Sequence, residues 1–281
     1  MKSKNFNSIL IIGSNSGIGK YLSHKFSVLN ENDQVFCCSR NTKNIREIKK
    51  KNKFKNLKIF KCDVSKKKEV IQLRNKISKY TKKIDIMINC AADIGSIGNI
   101  KKCNSEEWIA SIKNNFLSVF FTSKFFLDMI LLSKKKSIFN FSGGGAFDKF
   151  DNFSSYAISK TAVVRFTECI ASEFKDLNVF CIAPGFISTN IHKKIFSNKK
   201  LTGTKYLNFL KKKFDTKKNN KAMEKVYKCI LFLLTKKGSK LSGRTISVNF
   251  DPWDDEKFLK DLDKFLKTDL YKMRRINFEN I

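Results

Sequence analysis

Short runs of apolar residues alternate along the chain with longer stretches whose apolar residues recur every three or four positions. The short runs predict strands near residues 8–13, 34–39, 57–62, 85–90, 136–142, 177–183 and 244–250. The longer stretches predict helices near residues 17–29, 43–51, 66–82, 105–132, 153–175 and 219–235. Strands joined through helices run parallel, because each helix returns the chain to the edge from which it left. The pattern therefore predicts one α/β domain with a doubly wound parallel sheet.

Two segments stand outside this alternation. Residues 185–218 mix polar and apolar positions, and an interruption of this length in a compact domain is typical of a substrate lid. Residues 251–281 follow the last strand, and a short amphipathic pattern there predicts that the tail packs on the same domain. We therefore predict a single domain over residues 1–250, which includes the lid, followed by this tail.

The net charge of +32, from 57 basic and 25 acidic residues, is a signal that nucleic-acid-binding and membrane-surface proteins give. The lysines, however, are scattered through nearly every segment. The densest clusters, at 49–55 and 211–218, lack a regular aromatic interleave on which bases could stack. We therefore predict a solvated basic surface and no specific nucleic-acid partner.

Cysteines, histidines and long apolar stretches exclude several other classes of protein. The eight cysteines form no CxxC pair, and there are only two histidines, so we predict no metal site. Free cysteines are typical of a reducing compartment, so we predict a cytoplasmic location. The basic N-terminus has too few apolar residues before its first glycine for a signal peptide. The most apolar stretch, 116–132, carries Lys124 and Asp128, so we expect a buried or interface helix and no membrane span.

A glycine-rich turn, GSNSGIG, follows the first predicted strand and leads into the first predicted helix. Its glycines, at 13, 17 and 19, let the backbone approach a pyrophosphate closely. The free N–H groups and the dipole at the start of the helix favour the same anion. The spacing G-x3-G-x-G differs from the G-x-G-x-x-G fingerprint, but its place in an alternating chain predicts a dinucleotide site and a Rossmann-type sheet.

The stretch SSYAISK places Tyr156 and Lys160 four residues apart at the start of a predicted helix. Residues at this spacing lie on one face, so the phenol and the ammonium can point into one cleft. A neighbouring positive charge favours the phenolate and lowers the pKa of a tyrosine. The pair thus predicts a proton donor and acceptor, whereas an accidental pair is the alternative in a chain so rich in lysine.

These motifs, with NCAA at 89–92, Asn115, Ser142 and PGFIST at 184–189, occur in an order and at intervals that resemble the short-chain dehydrogenase/reductase family. The resemblance covers roughly residues 8 to 250. It implies that Tyr156 is the catalytic acid/base and that Lys160 lowers its pKa and binds the nicotinamide ribose. Asn115 matches the family asparagine that holds a water linked to the lysine, although Asn114 beside it leaves the register open.

The family serine is the member of this set that departs from the usual spacing. Family members place it thirteen residues before the tyrosine, and here that position is Gly143. Ser142 stands fourteen residues before Tyr156, at the head of SGGGA. A bulge in the glycine run would keep Ser142 at the reacting oxygen. Otherwise the reacting oxygen, which becomes negatively charged, has one hydrogen-bond donor fewer.

The resemblance also implies how the cofactor is held. Ser39 replaces the acidic residue that would bind the 2′-hydroxyl of NAD, and Arg40 beside it suits a 2′-phosphate, so we expect NADP, with NAD as the alternative. Asp63 and Val64 would border the adenine, while Ile187 and Thr189 would border the nicotinamide. The full expected contact set is Gly13, Ser14, Asn15, Ser16, Gly17, Ile18, Gly19, Arg40, Asp63, Val64, Asn89, Ala91, Pro184, Gly185, Ile187 and Thr189.

The expected function is an NADP-preferring oxidoreductase on an alcohol/carbonyl pair. Residues 142–160 and the ending after 245 also resemble a subgroup linked to surface-polysaccharide and nucleotide-sugar metabolism, which implies a polar, sugar-like substrate. The aromatic stripe on helix 105–132, together with helix 153–175, suits a family dimer seam, so a homodimer or homotetramer is expected. Two alternatives stay open: an epimerase or dehydratase that keeps its cofactor bound, and an NADP-binding scaffold or sensor with little turnover.

Overall fold

A computed structural model describes residues 6–189, 191–213 and 219–274. Its sheet has seven parallel strands in the order β3-β2-β1-β4-β5-β6-β7, which confirms the predicted fold class. The strands are β1 (Ser8–Ile12), β2 (Gln34–Ser39), β3 (Leu57–Lys61), β4 (Ile86–Asn89), β5 (Ser137–Phe141), β6 (Asn178–Ala183) and β7 (Thr245–Ser247). Each of them lies within one of the runs predicted from the sequence.

Helices connect the strands on both faces of the sheet. They are α1 (Gly17–Leu29), α2 (Lys43–Lys51), α3 (Lys67–Ile77), α4 (Ser105–Ile112), α5 (Ser118–Leu131), α6 (Ser154–Glu173), α7 (Ile191–Ser197), α8 (Lys199–Thr202), α9 (Thr204–Lys213), α10 (Asn219–Leu233), α11 (Glu256–Lys260) and α12 (Leu262–Leu266). A π-helical turn at Lys113–Leu117 joins α4 to α5, and a 3-10 turn at Gly238–Leu241 precedes β7. The helix predicted over 105–132 therefore corresponds to α4, the π-helical turn and α5, which follow one another without a break.

The sheet is buried on both faces, as expected of a parallel sheet covered by helices. Alternate residues of β1 enter different cores: Ile9 and Ile11 pack with side chains of α1 and α10, whereas Leu10 and Ile12 pack with those of α3 and α5. All five β1 residues are buried. This two-sided burial is why the inner strands read as mostly apolar runs, whereas β3 at the edge is largely half-buried and carries Lys58 and Lys61.

The segment predicted as a lid, residues 185–218, is largely helical. It carries α7, α8 and α9, while residues 190 and 214–218 of the prediction lie outside the described part. Ile195 of α7 and Leu210 of α9 are fully buried and pack in one cluster with Phe153, which caps the start of α6. The lid is thus built as short helices on a small apolar core of its own.

The described part of the tail, residues 251–274, packs on the domain. Trp253 is buried and its indole N–H donates to the carbonyl of Val248 at 3.0 Å, so it is an anchor for the tail. The N–H of Thr245 donates to the carbonyl of Tyr271 at 2.9 Å, which covers the free edge of β7. Residues 275–281 of the predicted tail lie outside the described residues. Within the described residues, no helix is long and apolar enough to cross a membrane.

Candidate active site

A cavity of about 740 Å³ opens at the carboxyl ends of the strands. The strand order reverses between β1 and β4, and ligands of doubly wound sheets bind in the crevice that this reversal creates. Many of the predicted site residues line this cavity: Gly13, Ser16, Gly17, Ile18, Arg40, Val64, Ala91, Ser142, Tyr156, Lys160, Pro184, Gly185, Ile187 and Thr189. Ser14, Asn15, Gly19, Asp63, Asn89 and Asn115 stand behind its wall.

The glycine turn is packed too tightly for side chains. A Cβ at Gly13, whose φ is +84°, would lie 2.6 Å from the backbone nitrogen of Ala91, and a Cβ at Gly19 would lie 2.4 Å from the carbonyl oxygen of Gly13. Helix α1 begins at Gly17, and the side chain of Ser16 before it makes no capping hydrogen bond. The first N–H groups of α1 are therefore left for an anion. This cradle fits the pyrophosphate of a dinucleotide.

Ser14, Asn15 and Asn89 support the turn from behind. The Ser14 hydroxyl donates to the carbonyl of Cys38 at 3.2 Å, and the Asn15 side-chain oxygen accepts from the N–H of Ile45 at 3.2 Å. The Asn89 amide donates to the side-chain oxygen of Asn140 at 2.9 Å. The first two bonds tie the turn to β2 and α2, and the third ties the end of β4 to β5 beside the turn, so the three residues support the cofactor site.

The far end of the cavity carries a positive charge. Arg40 is exposed at the end of β2, and within the described residues it forms no ion pair. One oxygen of the Asp63 carboxylate accepts from the N–H and the hydroxyl of Ser65, at 3.1 and 2.7 Å. Asp63 is not among the residues that line the cavity, so its contact with adenine stays a prediction, whereas Val64 does line the cavity.

Tyr156 and Lys160 both face the cavity from the first two turns of α6. The Lys160 ammonium donates to the carbonyl of Phe141 at 3.0 Å and lies 5.6 Å from the centre of the Tyr156 ring. Burial lowers the pKa of Lys160 from 10.5 to about 8. Burial, followed by the charges of Tyr206 and Asp93, raises the pKa of Tyr156 above its ordinary value. This direction is opposite to the predicted one, because desolvation outweighs an ammonium that is bonded to a carbonyl.

The structure bears on the two placements of Ser142 that the sequence left open. The Ser142 hydroxyl is buried, shielded from solvent and without a hydrogen-bond partner, although other atoms of the residue line the cavity. Gly143 instead lies against the tyrosine, since a Cβ there would be 2.3 Å from the Tyr156 hydroxyl oxygen. The extra residue in the glycine run therefore leaves the backbone of Gly143, and not the Ser142 hydroxyl, beside the reacting group. A catalytic role for Ser142 stays a prediction that this geometry does not support.

The two neighbouring asparagines converge on Asp93. Asn115 lies in the π-helical turn, where its side chain accepts from the N–H of Asp93 at 2.9 Å and donates to the Asp93 carbonyl at 3.0 Å. The Asn114 amide donates to the Asp93 carboxylate at 2.5 Å. Extra residues of this kind in a helix often mark functional sites. Asn115 therefore holds the loop after β4 in place and does not itself line the cavity.

The end of the cavity next to Tyr156 is aromatic, and this was not predicted from the sequence. Phe150, Phe186, Tyr206 and Phe209 line the space next to Tyr156, and they come from three separate segments. Asp93 is the only carboxylate among the described residues that line the cavity. No clear periodicity or motif links these positions, so only the fold brings them together.

Two sets of polar contacts hold the predicted lid, one at α7 and one in the loop that precedes it. The Lys194 ammonium of α7 binds the Glu107 carboxylate at 2.7 Å and donates to the carbonyl of Gly95 at 3.0 Å. At the start of α10, the Asn219 side chain accepts from the N–H of Ser188 at 2.9 Å and donates to its carbonyl at 2.6 Å. The Lys194 contacts therefore hold α7 against α4 and the loop after β4, and the Asn219 bonds hold the loop 187–189.

Comparison with known proteins agrees with the fold and with the residues of this site. The family model described as "short chain dehydrogenase" matches residues 7–200, so the chain belongs to the short-chain dehydrogenase/reductase family and is an NAD(P)-dependent oxidoreductase. It is 28% identical over 244 residues to the 3-oxoacyl-(acyl-carrier-protein) reductase FabG of Buchnera aphidicola, covering 85% of this chain and 94% of the relative.

A second relative and a solved structure give a consistent picture. The chain is 30% identical over 195 residues to the chlorophyll(ide) b reductase NOL of Arabidopsis thaliana, which covers 66% of this chain but only 56% of that protein. A putative short chain dehydrogenase of Shigella flexneri, solved in complex with NADP, superimposes with a TM-score of 0.75 at 21% identity, over 88% of this chain and 98% of that one. None of these relatives points to the predicted surface-polysaccharide subgroup.

Proposed function

We propose that this protein is an NADP-preferring oxidoreductase that transfers hydride between nicotinamide and an alcohol/carbonyl pair. One observation carries the proposal: Tyr156 and Lys160 face the same cavity as the tightly packed glycine turn at Gly13. A proton donor and an anion cradle at two ends of one cavity are the parts that hydride transfer to a carbonyl needs.

When bound, the nicotinamide supplies or accepts the hydride. The Tyr156 hydroxyl donates its proton to the carbonyl oxygen as negative charge develops there, and takes it back in the reverse reaction. Lys160 places an ammonium beside this group, with its position fixed by the carbonyl of Phe141 at 3.0 Å. Asn115 and Asp93 hold the loop beside the reacting atoms, so that the substrate meets a rigid wall.

The preference for NADP follows from charge at the adenosine end. Arg40 lines that end, forms no ion pair with the described residues, and offers paired donors to a 2′-phosphate. The one lining carboxylate among the described residues, Asp93, belongs to the catalytic end, where it accepts from the Asn114 amide. Among the described residues, no carboxylate lines the adenosine end, where it would repel the phosphate.

A homodimer or homotetramer in the cytoplasm remains part of the proposal. Large apolar side chains are exposed on α4 and α6, where Ile109 is 46% and Ile158 is 50% accessible. Covering such residues in a subunit contact would be favourable. Sedimentation of the purified protein would test the assembly, and a monomer at all concentrations would contradict it.

The proposed function is tested by titrating purified protein with NADPH and NADH while following nicotinamide fluorescence, and then by turnover with a carbonyl panel. We expect tighter binding of NADPH and NADPH oxidation that is lost in Tyr156→Phe. Nucleotide that copurifies with the protein would favour the epimerase or dehydratase alternative. Binding without turnover, unaffected by Tyr156→Phe, would favour the scaffold alternative, and binding of neither nucleotide would refute the proposal.

A further inference from the structure

A connected series of aromatic rings runs from the catalytic tyrosine toward the mouth of the cavity. Phe150 contacts Tyr156 edge to face at 6.4 Å between ring centres, and contacts Tyr206 at 5.0 Å. Tyr206 stacks on Phe209 at 5.8 Å and 17°, and Phe209 contacts Phe186 at 5.7 Å. All of these rings line the cavity. The substrate that reaches Tyr156 therefore passes along aromatic surface.

Three polar groups at this end of the cavity are already engaged with the protein. The Asp93 carboxylate accepts from Asn114, the Lys194 ammonium is bonded to Glu107 and to the carbonyl of Gly95, and a ring nitrogen of His192 lies 3.2 Å from the N–H of Thr189. Beyond the hydroxyls of Tyr156 and Tyr206, few polar groups there are left for a polyhydroxylated substrate, and a substrate hydroxyl left unpaired in a closed site is costly. The lining thus disfavours the sugar-like substrate that the sequence suggested.

Two phenylalanines at the mouth expose apolar surface to water. Phe209 is 41% and Phe250 is 88% accessible, and both line the cavity. Covering them with an apolar ligand removes this surface from water, which is favourable in proportion to the area covered. Ring faces also favour flat, conjugated partners, because aromatic pairs gain more than their buried area alone provides.

Resting on the proposed function, we propose that the substrate is a carbonyl compound conjugated to a flat, apolar ring system, of the aryl ketone class. In the reducing direction, NADPH transfers a hydride to the carbonyl carbon and becomes NADP⁺. The π electron pair of the C=O bond moves to the oxygen, which takes the proton of Tyr156, and solvent later restores that proton. The ring lies along Phe150, Tyr206 and Phe209.

The test compares two ketones that differ only in the ring. Acetophenone is flat and aromatic, and cyclohexyl methyl ketone has the same carbon skeleton without aromaticity; glyceraldehyde serves as the polar probe. With NADPH oxidation as the readout, we expect kcat/KM for acetophenone to exceed that for cyclohexyl methyl ketone by about tenfold, from two ring contacts. Equal values for the two ketones, or a higher value for glyceraldehyde, would overturn the inference.

Substitutions of single aromatic residues test whether these rings cause the preference for acetophenone. Phe209→Leu removes a ring from an exposed position, so it leaves the fold intact, and we expect the preference for acetophenone to fall by about threefold or more. Tyr206→Phe keeps the ring and should keep the preference, whereas Tyr206→Leu should lose it. Phe265→Leu is the matched control, because Phe265 is 37% accessible on α12 and does not line the cavity. If Phe209→Leu and Phe265→Leu behave alike, the inference is wrong.

A binding measurement separates this inference from the proposed function. Saturation-transfer NMR of acetophenone with the protein and NADP⁺ requires no turnover, and we expect a ring signal that weakens in Phe209→Leu. A ring signal with no NADPH oxidation by any carbonyl of the panel would contradict the proposed function and support the ring site. Oxidation of NADPH by glyceraldehyde without a ring signal would support the proposed function and overturn the ring site.

Discussion

Replacing Lys160 with methionine abolishes the proposed catalysis and, we expect, stabilises the folded protein at neutral pH. Burial lowers the pKa of Lys160 from 10.5 to about 8. Each tenfold change in ionisation corresponds to about 1.4 kcal/mol, so keeping the ammonium charged in this site costs about 3 kcal/mol. Methionine has a similar shape and no charge, and the variant Lys160→Met therefore avoids that cost.

The expected gain is smaller than the charging cost, because the variant loses the hydrogen bond from Lys160 to the carbonyl of Phe141. A bond of this kind contributes about 1 kcal/mol, which leaves a net gain of about 2 kcal/mol at pH 7. The folded protein releases the Lys160 proton near pH 8 and the unfolded chain near 10.5. The charging cost is therefore complete below pH 8, declines between these values and is absent above them. Above about pH 10.5 the wild type becomes more stable by about 1 kcal/mol.

Urea unfolding of both proteins without cofactor, at several pH values from 7 to about 10.5, measures this difference directly. Lys175→Met is the matched control, because Lys175 is exposed just beyond the end of α6 and its replacement should give a small change independent of pH. If Lys160→Met is less stable than the wild type at pH 7, or if its gain does not decline as pH rises, the argument from burial is refuted. A confirmed gain would mean that the site sacrifices stability for a charge that catalysis requires.

Three further substitutions test separate parts of the site. Arg40→Ala should raise the Kd for NADPH by about tenfold to thirtyfold and leave NADH unchanged, since charge-assisted bonds to phosphate contribute about 1.5–3 kcal/mol and the exposed guanidinium lies at the lower end. Arg46→Ala, which removes the same charge from α2, is the control, and equal losses for both nucleotides would contradict the argument. Ser142→Ala should change kcat by less than about threefold, whereas Tyr156→Phe should lower it by about a hundredfold or more. A large loss in Ser142→Ala would show that its hydroxyl turns into the cavity. Asn219→Ala, which removes both bonds to the loop at 187–189, should raise the Kd for NADPH by up to about thirtyfold, with little change in the unfolding midpoint.

Much of the fold was predictable because the inner strands of the sheet are buried on both faces and so read as mostly apolar runs. The helices of the predicted lid were not predicted from the sequence, and the reason is physical. Helices α7, α8 and α9 are short, and their core consists of a few residues such as Ile195 and Leu210 packed on Phe153. Each of these helices has few fully buried positions, so an apolar pattern such as that of Tyr206, Leu207 and Leu210 in α9 is too short to predict a helix by itself. A helix of one or two turns is fixed by tertiary contact more than by its own pattern.

The candidate site, like the fold, was predictable from the sequence only in part. Residues at the ends of strands or in the first turns of helices, such as Gly13 and Tyr156, were predictable because their function needs a fixed residue type at a fixed place. The aromatic end was not, because Phe150, Phe186 and Tyr206 meet only when the lid folds over α6. The direction of the Tyr156 pKa was wrong for a related reason. Spacing shows which charge is near, but it does not show how much water has been removed.

The glycine run leads to a last prediction, in which the usual family serine is restored. A Cβ at position 143 would lie 2.3 Å from the Tyr156 hydroxyl oxygen and 2.9 Å from the carbon that bears it, so Gly143→Ser requires the phenol to move. A shift of about 1 Å at a reacting group can lower a rate about a hundredfold, and we expect kcat/KM to fall by at least about tenfold. Gly144→Ser is the control, since its Cβ would meet only the Phe150 ring, at 3.3 Å. Higher activity in Gly143→Ser would show that the tyrosine adjusts and that a hydroxyl donor was the missing part. A loss confined to that variant would show that the glycine and the tyrosine are matched to each other.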